Sequence, residues 1–219
     1  MTKRLLLALS LLVLAPMALW MASPSPVVAE EKYQEGVHYD LINPVVRTAE
    51  PDKIEVAEFF WYGCGHCYTF EPMVKQWKKT LADDVDFRGS PAIWNPKMEL
   101  HARAFYAAEA LGVMDSMHPV IFQAMNVDRK RLGSEEEIAE LFVANGVSAE
   151  DFSKAFNSFG VNSLVKQANS RARAAKITGT PSIMVNGKYS IDTRKAGSQA
   201  NMLKIADYLV EKERAAAGG

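Results

Sequence analysis

The stretch "WYGCGHCYTFEP", residues 61–72, contains the only two cysteines of this 219-residue chain. Cys64 and Cys67 are separated by one glycine and one histidine. A run rich in β-branched and aromatic residues, 53–62, leads into the motif and predicts a buried strand. Apolar residues at helical spacing follow the motif. The sequence therefore places Cys64 at a strand-to-helix turn, at the N-terminus of a helix.

The two cysteines allow three interpretations: a disulfide that stabilises the fold, half of a metal site, or a redox pair. A disulfide between Cys64 and Cys67 closes a very short loop, so it removes little entropy from the unfolded chain. A structural zinc site needs about four ligands, and the remaining histidines, His38, His101 and His118, are isolated in the sequence. A redox pair is the favoured interpretation, and we expect neither a metal nor a cofactor.

The N-terminus has the features of an export signal, predicted to span residues 1–29. After a short positively charged start, residues 5–22 contain no charge. The small residues at 27–29 favour cleavage before Glu30. An uncleaved membrane anchor is the alternative, but the apolar run is near the lower length limit for spanning a bilayer. Export would place the chain in an oxidising compartment, the periplasm or the exterior, where a thiol pair tends to form a disulfide.

Composition limits the classes of function. With 48% hydrophobic and 23% charged residues, the chain has ordinary globular composition. Its net charge is −1, and no basic block offers a surface for phosphate groups. Nucleic acid is therefore not an expected partner.

Secondary-structure patterns divide the rest of the chain into a β part, a helical part and a second β part. The stretch 85–94 predicts a strand that ends at an Asn-Pro pair. Helical patterns then follow one another over residues 97–176, where Asp115 is positioned to cap one helix and Ser134 with Glu137 to cap another. Two short apolar runs joined by Asn-Gly form a strong hairpin signal, and a closing helix follows.

This order of elements, with a Cys-x-x-Cys pair after the first central strand, resembles the thioredoxin fold. The helical segment makes the chain similar to the DsbA family of periplasmic thiol–disulfide oxidoreductases. The resemblance covers nearly all of residues 33–212 and is carried by "EFFWYGCGHCYTFEP", by "GTPS" at 179–182 and by the helices between them. The fold class it implies is α/β, a thioredoxin fold with an inserted all-helical domain. The implied division is a signal peptide (1–29), a thioredoxin-like domain in two parts (30–96 and 177–213), a helical insertion (97–176) and a flexible tail (214–219).

Gly65 departs from the family pattern, which often has Cys-Pro-His-Cys, and produces the Cys-Gly-His-Cys motif of protein disulfide isomerases. Members of the family are known examples of a lowered cysteine pKa and of a strongly oxidising dithiol pair. Here Cys64 is predicted at a helix N-terminus, where the helix dipole and free backbone N–H groups favour the thiolate. His66, when protonated, adds to this effect. The resemblance implies that the cysteine pair is an oxidant. Gly65 belongs to the dipeptide that helps to set the redox potential of the pair, so it bears on the oxidising strength.

The resemblance also implies roles outside the motif. Glu58 would lie beneath the active site and exchange a proton with Cys67. Its nearly all apolar neighbours favour burial, which would raise its pKa, over the alternative of a solvent-facing position on a partly exposed strand. Pro181 is similar to the cis-proline that faces the cysteine pair in thioredoxin-like proteins, and Thr180 would offer backbone groups to a substrate peptide.

Other side chains have weaker signals. His101 and His118 fall on helical patterns and are predicted to be ordinary surface or packing residues. Aromatic residues are more often part of a core than of a binding surface, but some here are candidates for a hydrophobic groove beside the cysteines. These candidates are Trp61, Tyr62, Phe70 and Trp94.

The implied function is donation of the Cys64–Cys67 disulfide to reduced exported proteins, with reoxidation by a quinone-linked membrane protein similar to DsbB. The protein is expected to be a monomer. One alternative is a disulfide isomerase or a reductase on the same fold. Export argues against a reductant of the cytosolic type, and the absence of a separate dimerisation segment argues against a dimeric isomerase. The other alternative is a non-enzymatic peptide-binding or chaperone module, which would not depend on Cys64.

Overall fold

The computed structural model describes residues 32–217, which form one five-stranded mixed sheet surrounded by helices. The predicted signal peptide and its cleavage site lie outside the described residues. Within 32–217, no helix has the length and apolar composition that crossing a membrane requires. The strands are β1 (Asp40–Leu41), β2 (Ile54–Phe60), β3 (Val85–Pro91), β4 (Ser182–Val185) and β5 (Tyr189–Asp192).

The sheet has the strand order β1-β5-β4-β2-β3. β2 runs parallel to β3 and antiparallel to β4, so it lies inside the sheet. It is buried along almost its whole length, as expected for a strand inside a sheet whose residues are mostly apolar. The C-terminal end of β2 leads directly into the turn that carries Cys64. The turn is therefore anchored to a buried strand of the sheet.

All helices except the short one just before the closing helix occur where the sequence patterns predict them, and five helices of the described chain lie between β3 and β4. The first helix follows β2 immediately and carries Cys67 in its first turn. The helices are α1 (Gly65–Lys78), α2 (Pro96–Ala110), α3 (Met114–Asn126), α4 (Glu135–Val143), α5 (Ala149–Phe156), α6 (Phe159–Ala174), α7 (Thr193–Ala196) and α8 (Gln199–Ala217).

The helix caps agree with the sequence in one case and differ in another. Ser134 caps α4, because its hydroxyl accepts a hydrogen bond from the backbone N–H of Glu137. The Glu137 carboxylate accepts from the N–H of Gly133, one residue before the cap. The prediction that Asp115 caps a helix is wrong. Val113 occupies the cap of α3, and Asp115 lies in the first turn, where the helix dipole also favours an acidic residue.

Two features of the ends of the fold differ from the sequence patterns. β1 has no counterpart in the prediction; it is two residues long and pairs antiparallel with β5. α8 continues to Ala217, so a helix and not a tail occupies residues 214–217. Arg214 is held there by two hydrogen bonds of 2.6 Å to the carboxylate of Asp84.

The core forms two main clusters that meet near the cysteines. One packs α1 and α8 against the sheet and includes Phe70 and Ile183. The other joins the end of β2 to the helices between β3 and β4, and it includes Phe60, Phe122 and Cys67. The buried cysteine is therefore part of the packing between the strand and the helical segment.

Candidate active site

Cys64 is the N-cap residue of α1, with an extended backbone conformation. Its N–H donates to the carbonyl of Trp61 at 2.9 Å, and its carbonyl accepts from the N–H of Tyr68 at 3.0 Å. Cys64 is partly exposed, whereas Cys67, one turn along the helix, is fully buried. Both cysteines are free thiols in this structure. The turn therefore presents one accessible and one enclosed thiol.

The surroundings of Cys64 lower the pKa of its thiol to about 5. The largest cause is a hydrogen bond from the Cys67 side chain. The Thr180 side chain and the backbone N–H groups of Cys67 and His66 lower the pKa further, while partial burial opposes them. Free N–H groups in the first turn of a helix are suited to stabilising an anion. Cys64 is thus a thiolate at neutral pH.

The pKa of Cys67 is shifted in the opposite direction. Burial raises it most, and the hydrogen bond that Cys67 gives to Cys64 and the negative charges of Cys64 and Glu58 raise it further. A proton on Cys67 therefore supports the thiolate on Cys64. This asymmetry matches the roles of an attacking and a buried resolving cysteine.

His66 contributes through its backbone. The residue is exposed, and among the described residues no hydrogen bond joins its imidazole to Cys64. Its carbonyl accepts hydrogen bonds from Nε2 of Gln199 at 2.6 Å and from the hydroxyl of Thr69 at 3.0 Å. The bond from Gln199 ties the dipeptide between the cysteines to the start of α8.

Thr180 and Pro181 lie opposite Cys64. The Thr180–Pro181 peptide bond is cis. In its protonated form the Cys64 thiol donates to the Thr180 carbonyl, with 3.4 Å between Sγ and the oxygen. The loop before β4, far away in sequence, therefore faces the reactive sulfur.

Glu58 is buried in β2, with 4% of its surface exposed. Its pKa is raised from 4.5 to about 8, mainly by burial and further by the negative charge of Glu71, against the opposing effect of Lys78. Glu58 lines a cavity of about 410 Å³ together with Glu71, Lys78 and His118, among other residues. The carboxyl group is close enough for its charge to act on Cys67, and it borders a space large enough for several water molecules.

Comparison with known proteins agrees with this geometry. A curated relative from Azotobacter vinelandii, named thiol:disulfide interchange protein DsbA, is 43% identical over 83% of this chain and 85% of its own length. The crystal structure of Pseudomonas aeruginosa DsbA aligns with a TM-score of 0.83 at 39% identity, covering 87% of this chain and 99% of that one. The DSBA-like thioredoxin domain family matches residues 55–204. This chain belongs to that family.

Membership of the DsbA family confirms the predicted fold class, a thioredoxin fold within an α/β architecture. It also confirms the class of activity, because relatives at this level of identity are named for thiol–disulfide interchange. This DsbA-family chain is therefore a protein disulfide oxidoreductase that exchanges thiols and disulfides with substrate proteins.

The four aromatic groove candidates are not alike in this DsbA-family structure. Tyr62 and Phe70 are fully buried and belong to the core. Trp94 is half exposed, with 50% of its surface accessible. Trp61 is partly buried, and its ring covers Gly63, where an added Cβ would come within 2.4 Å of the ring. Only Trp94 thus presents a large apolar surface.

His101 is a packing residue, one of the two roles that the sequence predicts for it. It is buried, and its Nδ1 accepts a hydrogen bond from the indole N–H of Trp61 at 2.9 Å. Because an indole N–H only donates, Nε2 carries the ring proton and donates to the Leu132 carbonyl at 3.0 Å. Burial lowers the pKa of His101, which keeps the ring neutral. His101 thus fixes Trp61 beside the turn that leads to Cys64.

His118 also has a specific place. Its Nδ1 is 2.7 Å from the hydroxyl of Tyr62, and its Nε2 is 3.3 Å from the carboxylate of Glu71. His118 therefore connects α3 to both α1 and the residue two positions before Cys64. The contacts of His101 and His118 have no signal in the local sequence, since the partners lie 31 or more residues apart.

Proposed function

We propose that this chain is an oxidant, which donates the Cys64–Cys67 disulfide to exported proteins. The observation that carries this proposal is the lowered pKa of Cys64, about 5, beside a buried Cys67 whose pKa is raised. A stabilised thiolate stabilises the reduced protein. The disulfide form is then readily reduced, and it oxidises its partners.

The reaction begins when a substrate thiolate attacks the Cys64 sulfur of the disulfide. The Cys64–Cys67 bond breaks, Cys67 leaves with the electron pair, and a mixed disulfide joins the substrate to Cys64. A second substrate thiolate then attacks the substrate sulfur of the mixed disulfide. Cys64 leaves as a stabilised thiolate, so the substrate is oxidised by two electrons and the dithiol form of the protein is produced.

Glu58 supplies a proton in this scheme. Cys67 leaves as a thiolate in a buried site where the charged form is disfavoured. With a pKa of about 8, Glu58 is protonated at neutral pH and can deliver a proton to Cys67. The cavity that Glu58 lines offers a route by which the carboxyl exchanges protons with solvent.

Thr180 and Pro181 bind the substrate peptide. The Thr180 carbonyl is close to the Cys64 sulfur, which places its backbone beside any mixed disulfide. A substrate segment in an extended conformation can form main-chain hydrogen bonds there, as in the addition of a strand. His66 is exposed beside the sulfur and takes part in the encounter with the substrate.

The proposed location is the periplasm, reached through the signal at residues 1–29. Each turnover leaves the dithiol form, so an external oxidant must accept two electrons. A quinone-linked membrane protein similar to DsbB is the proposed partner, and the protein acts on its substrates as a monomer. The Cys-Gly-His-Cys sequence favours a disulfide isomerase as the second candidate.

Equilibration with mixtures of reduced and oxidised glutathione tests the proposal. The redox state is trapped by acid and measured by mass. An oxidant should have a potential near about −120 mV; a value near about −180 mV is that of a disulfide isomerase and one near about −270 mV that of a reductant, and either would contradict the proposal. A variant with Cys64→Ser should lose turnover with reduced peptide substrates. Retained activity in that variant would instead support a peptide-binding module.

A further inference from the structure

One face of α3 is directed at Tyr62. His118, Phe122 and Asn126 are spaced by four residues, so they lie above one another along the helix. All three contact Tyr62. Because Tyr62 comes two residues before Cys64, this face of the helical segment bears directly on the turn that carries the reactive thiol.

Each of the three residues makes a different contact with Tyr62. His118 Nδ1 is 2.7 Å from the phenol oxygen. The rings of Tyr62 and Phe122 meet edge to face, with their centroids 4.9 Å apart. The side-chain amide of Asn126 donates from Nδ2 to the main-chain carbonyl of Tyr62 at 2.8 Å and to the carbonyl of Phe122 at 2.9 Å. Tyr62 is thus held at both its side chain and its backbone.

The contact of Asn126 with the Tyr62 backbone is the one that determines the path of the chain. The Tyr62 carbonyl belongs to the turn in which Cys64 donates to the Trp61 carbonyl. On the other side of Cys64, the position of a Cβ on Gly65 would be 3.9 Å from Oδ1 of Asn126. Asn126 therefore borders the reactive turn before and after Cys64 without bonding to Cys64 itself.

We propose that Asn126 is a positioning residue for Cys64. Through the Tyr62 carbonyl it holds the turn in the conformation that keeps the Cys64 sulfur within reach of the Cys67 thiol and of the first-turn N–H groups. These hydrogen bonds stabilise the thiolate, and they weaken steeply with poor geometry. Asn126 thereby sets the oxidising strength of the pair. This inference rests on the proposed function.

The test replaces Asn126 with leucine, which has a similar branched shape and removes the donor. Asn145→Leu is the matched control. Asn145 also donates from Nδ2 to the carbonyl four residues earlier, that of Leu141 at 2.7 Å, just after the end of α4. Each variant is measured for the pKa of Cys64, by thiolate absorbance, and for its equilibrium with glutathione. Melting temperature records any general loss of stability.

Asn126→Leu should weaken thiolate stabilisation about tenfold, equivalent to a rise of about one pKa unit. Its equilibrium with glutathione should shift by a similar factor toward a weaker oxidant, while Asn145→Leu changes neither quantity. Asn126→Ala should shift both in the same direction, and it serves if the leucine variant does not fold. If both Asn126 variants match Asn145→Leu, the inference is wrong. The wild-type potential tests the proposed function separately.

Discussion

Cys64 and Cys67 occupy a single helical turn, but their thiols experience different forces. Cys64 precedes the helix, so the N–H groups of the first turn are available to its sulfur. Cys67 lies inside the helix and is buried against Phe60 and other core residues. Desolvation therefore dominates at Cys67, and hydrogen bonding dominates at Cys64. The two side chains are identical, and their pKa values differ because a shift of three residues along the chain places one before the helix and the other inside it.

Alkylation of the reduced protein tests this difference. At pH 6 a thiol with a pKa of about 5 is mostly ionised, whereas a buried thiol with a raised pKa is protonated. Iodoacetamide should therefore label Cys64 at least roughly a hundredfold faster than Cys67. Peptide mass spectrometry at short times gives the ratio. Faster labelling of Cys67 would reverse the assigned roles.

Glu58 should make the protein less stable as pH rises. Its pKa is about 8 in the folded state against 4.5 in the unfolded state. Between these values the folded carboxyl is protonated and the unfolded one is ionised, so the folded state binds more protons and stability falls with pH. Glu58→Gln should remove this slope and raise the free energy of unfolding at pH 8 by on the order of 3 kcal/mol.

Urea unfolding of the oxidised protein between pH 5 and pH 8 measures the effect of Glu58, because the disulfide removes the thiol titrations. Glu140→Gln is the control, since Glu140 is exposed on α4 and its loss should leave the slope unchanged. If Glu58→Gln keeps the wild-type pH dependence, the carboxyl group is not held protonated. Its proposed role as a proton donor to Cys67 would then fail as well.

At the scale of the element, the two glycines of the turn between β2 and α1 differ in the space around them. A Cβ on Gly63 would come within 2.4 Å of the Trp61 ring, which His101 holds in place. A Cβ on Gly65 would meet only the Asn126 side chain, at 3.9 Å. Gly65 is also the first residue of α1, a position where proline is well tolerated because its N–H has no partner within the helix.

Gly65→Pro should therefore fold, and it should be more stable by about 0.4–1 kcal/mol, because proline restricts the unfolded chain. Its Cys64 pKa should stay low, since the N–H groups that lower it belong to His66 and Cys67. Gly63→Ala should cost about 1–3 kcal/mol through overpacking. Thermal melts and thiolate titrations measure both. Equal stability of the two variants would mean that Trp61 does not pack tightly on Gly63.

The elements that the sequence predicts well are those with a local cause. β2 follows from a run rich in β-branched and aromatic residues, and the hairpin of β4 and β5 follows from Asn186 and Gly187 between two short strands. β1 has no such cause, because two residues carry no periodicity and its pairing with β5 depends on the complete fold. Asp115 shows a different limit: an acidic residue is favourable both at a cap and in the first turn, so its type does not fix the helix start.

At the scale of the whole molecule, the helical segment completes the active site. The contacts of Trp61 with His101 and of Tyr62 with Asn126 join residues that are 40 and 64 positions apart. No local pattern predicts them, because they arise only when helices between β3 and β4 pack against the end of β2. The cysteine motif and the loop at Pro181 could be identified from sequence, but the support of the turn by α2 and α3 could not.

The stability of the complete protein should depend on its redox state in a way that changes with pH. In the dithiol form, Cys64 has a pKa of about 5 when folded and about 9 when unfolded. Between these values the unfolded state binds more protons, so the stability of the dithiol form rises with pH. This gain is complete above about pH 9 and is lost as pH falls through about 5. The disulfide form has no such titration, and Glu58 affects both forms.

The reduced protein should therefore melt several degrees above the oxidised protein at pH 8, since about 1 kcal/mol shifts the melting temperature of a domain of this size by roughly 2–4 °C. The difference should shrink as pH is lowered to 5. A disulfide usually stabilises a fold. Here we expect the disulfide form to be less stable than the dithiol form, because oxidation removes the thiolate and its hydrogen bonds. Calorimetry of both forms at several pH values measures the difference. An oxidised form that melts higher at pH 8 would contradict the proposed oxidant and favour a reductant on the same fold.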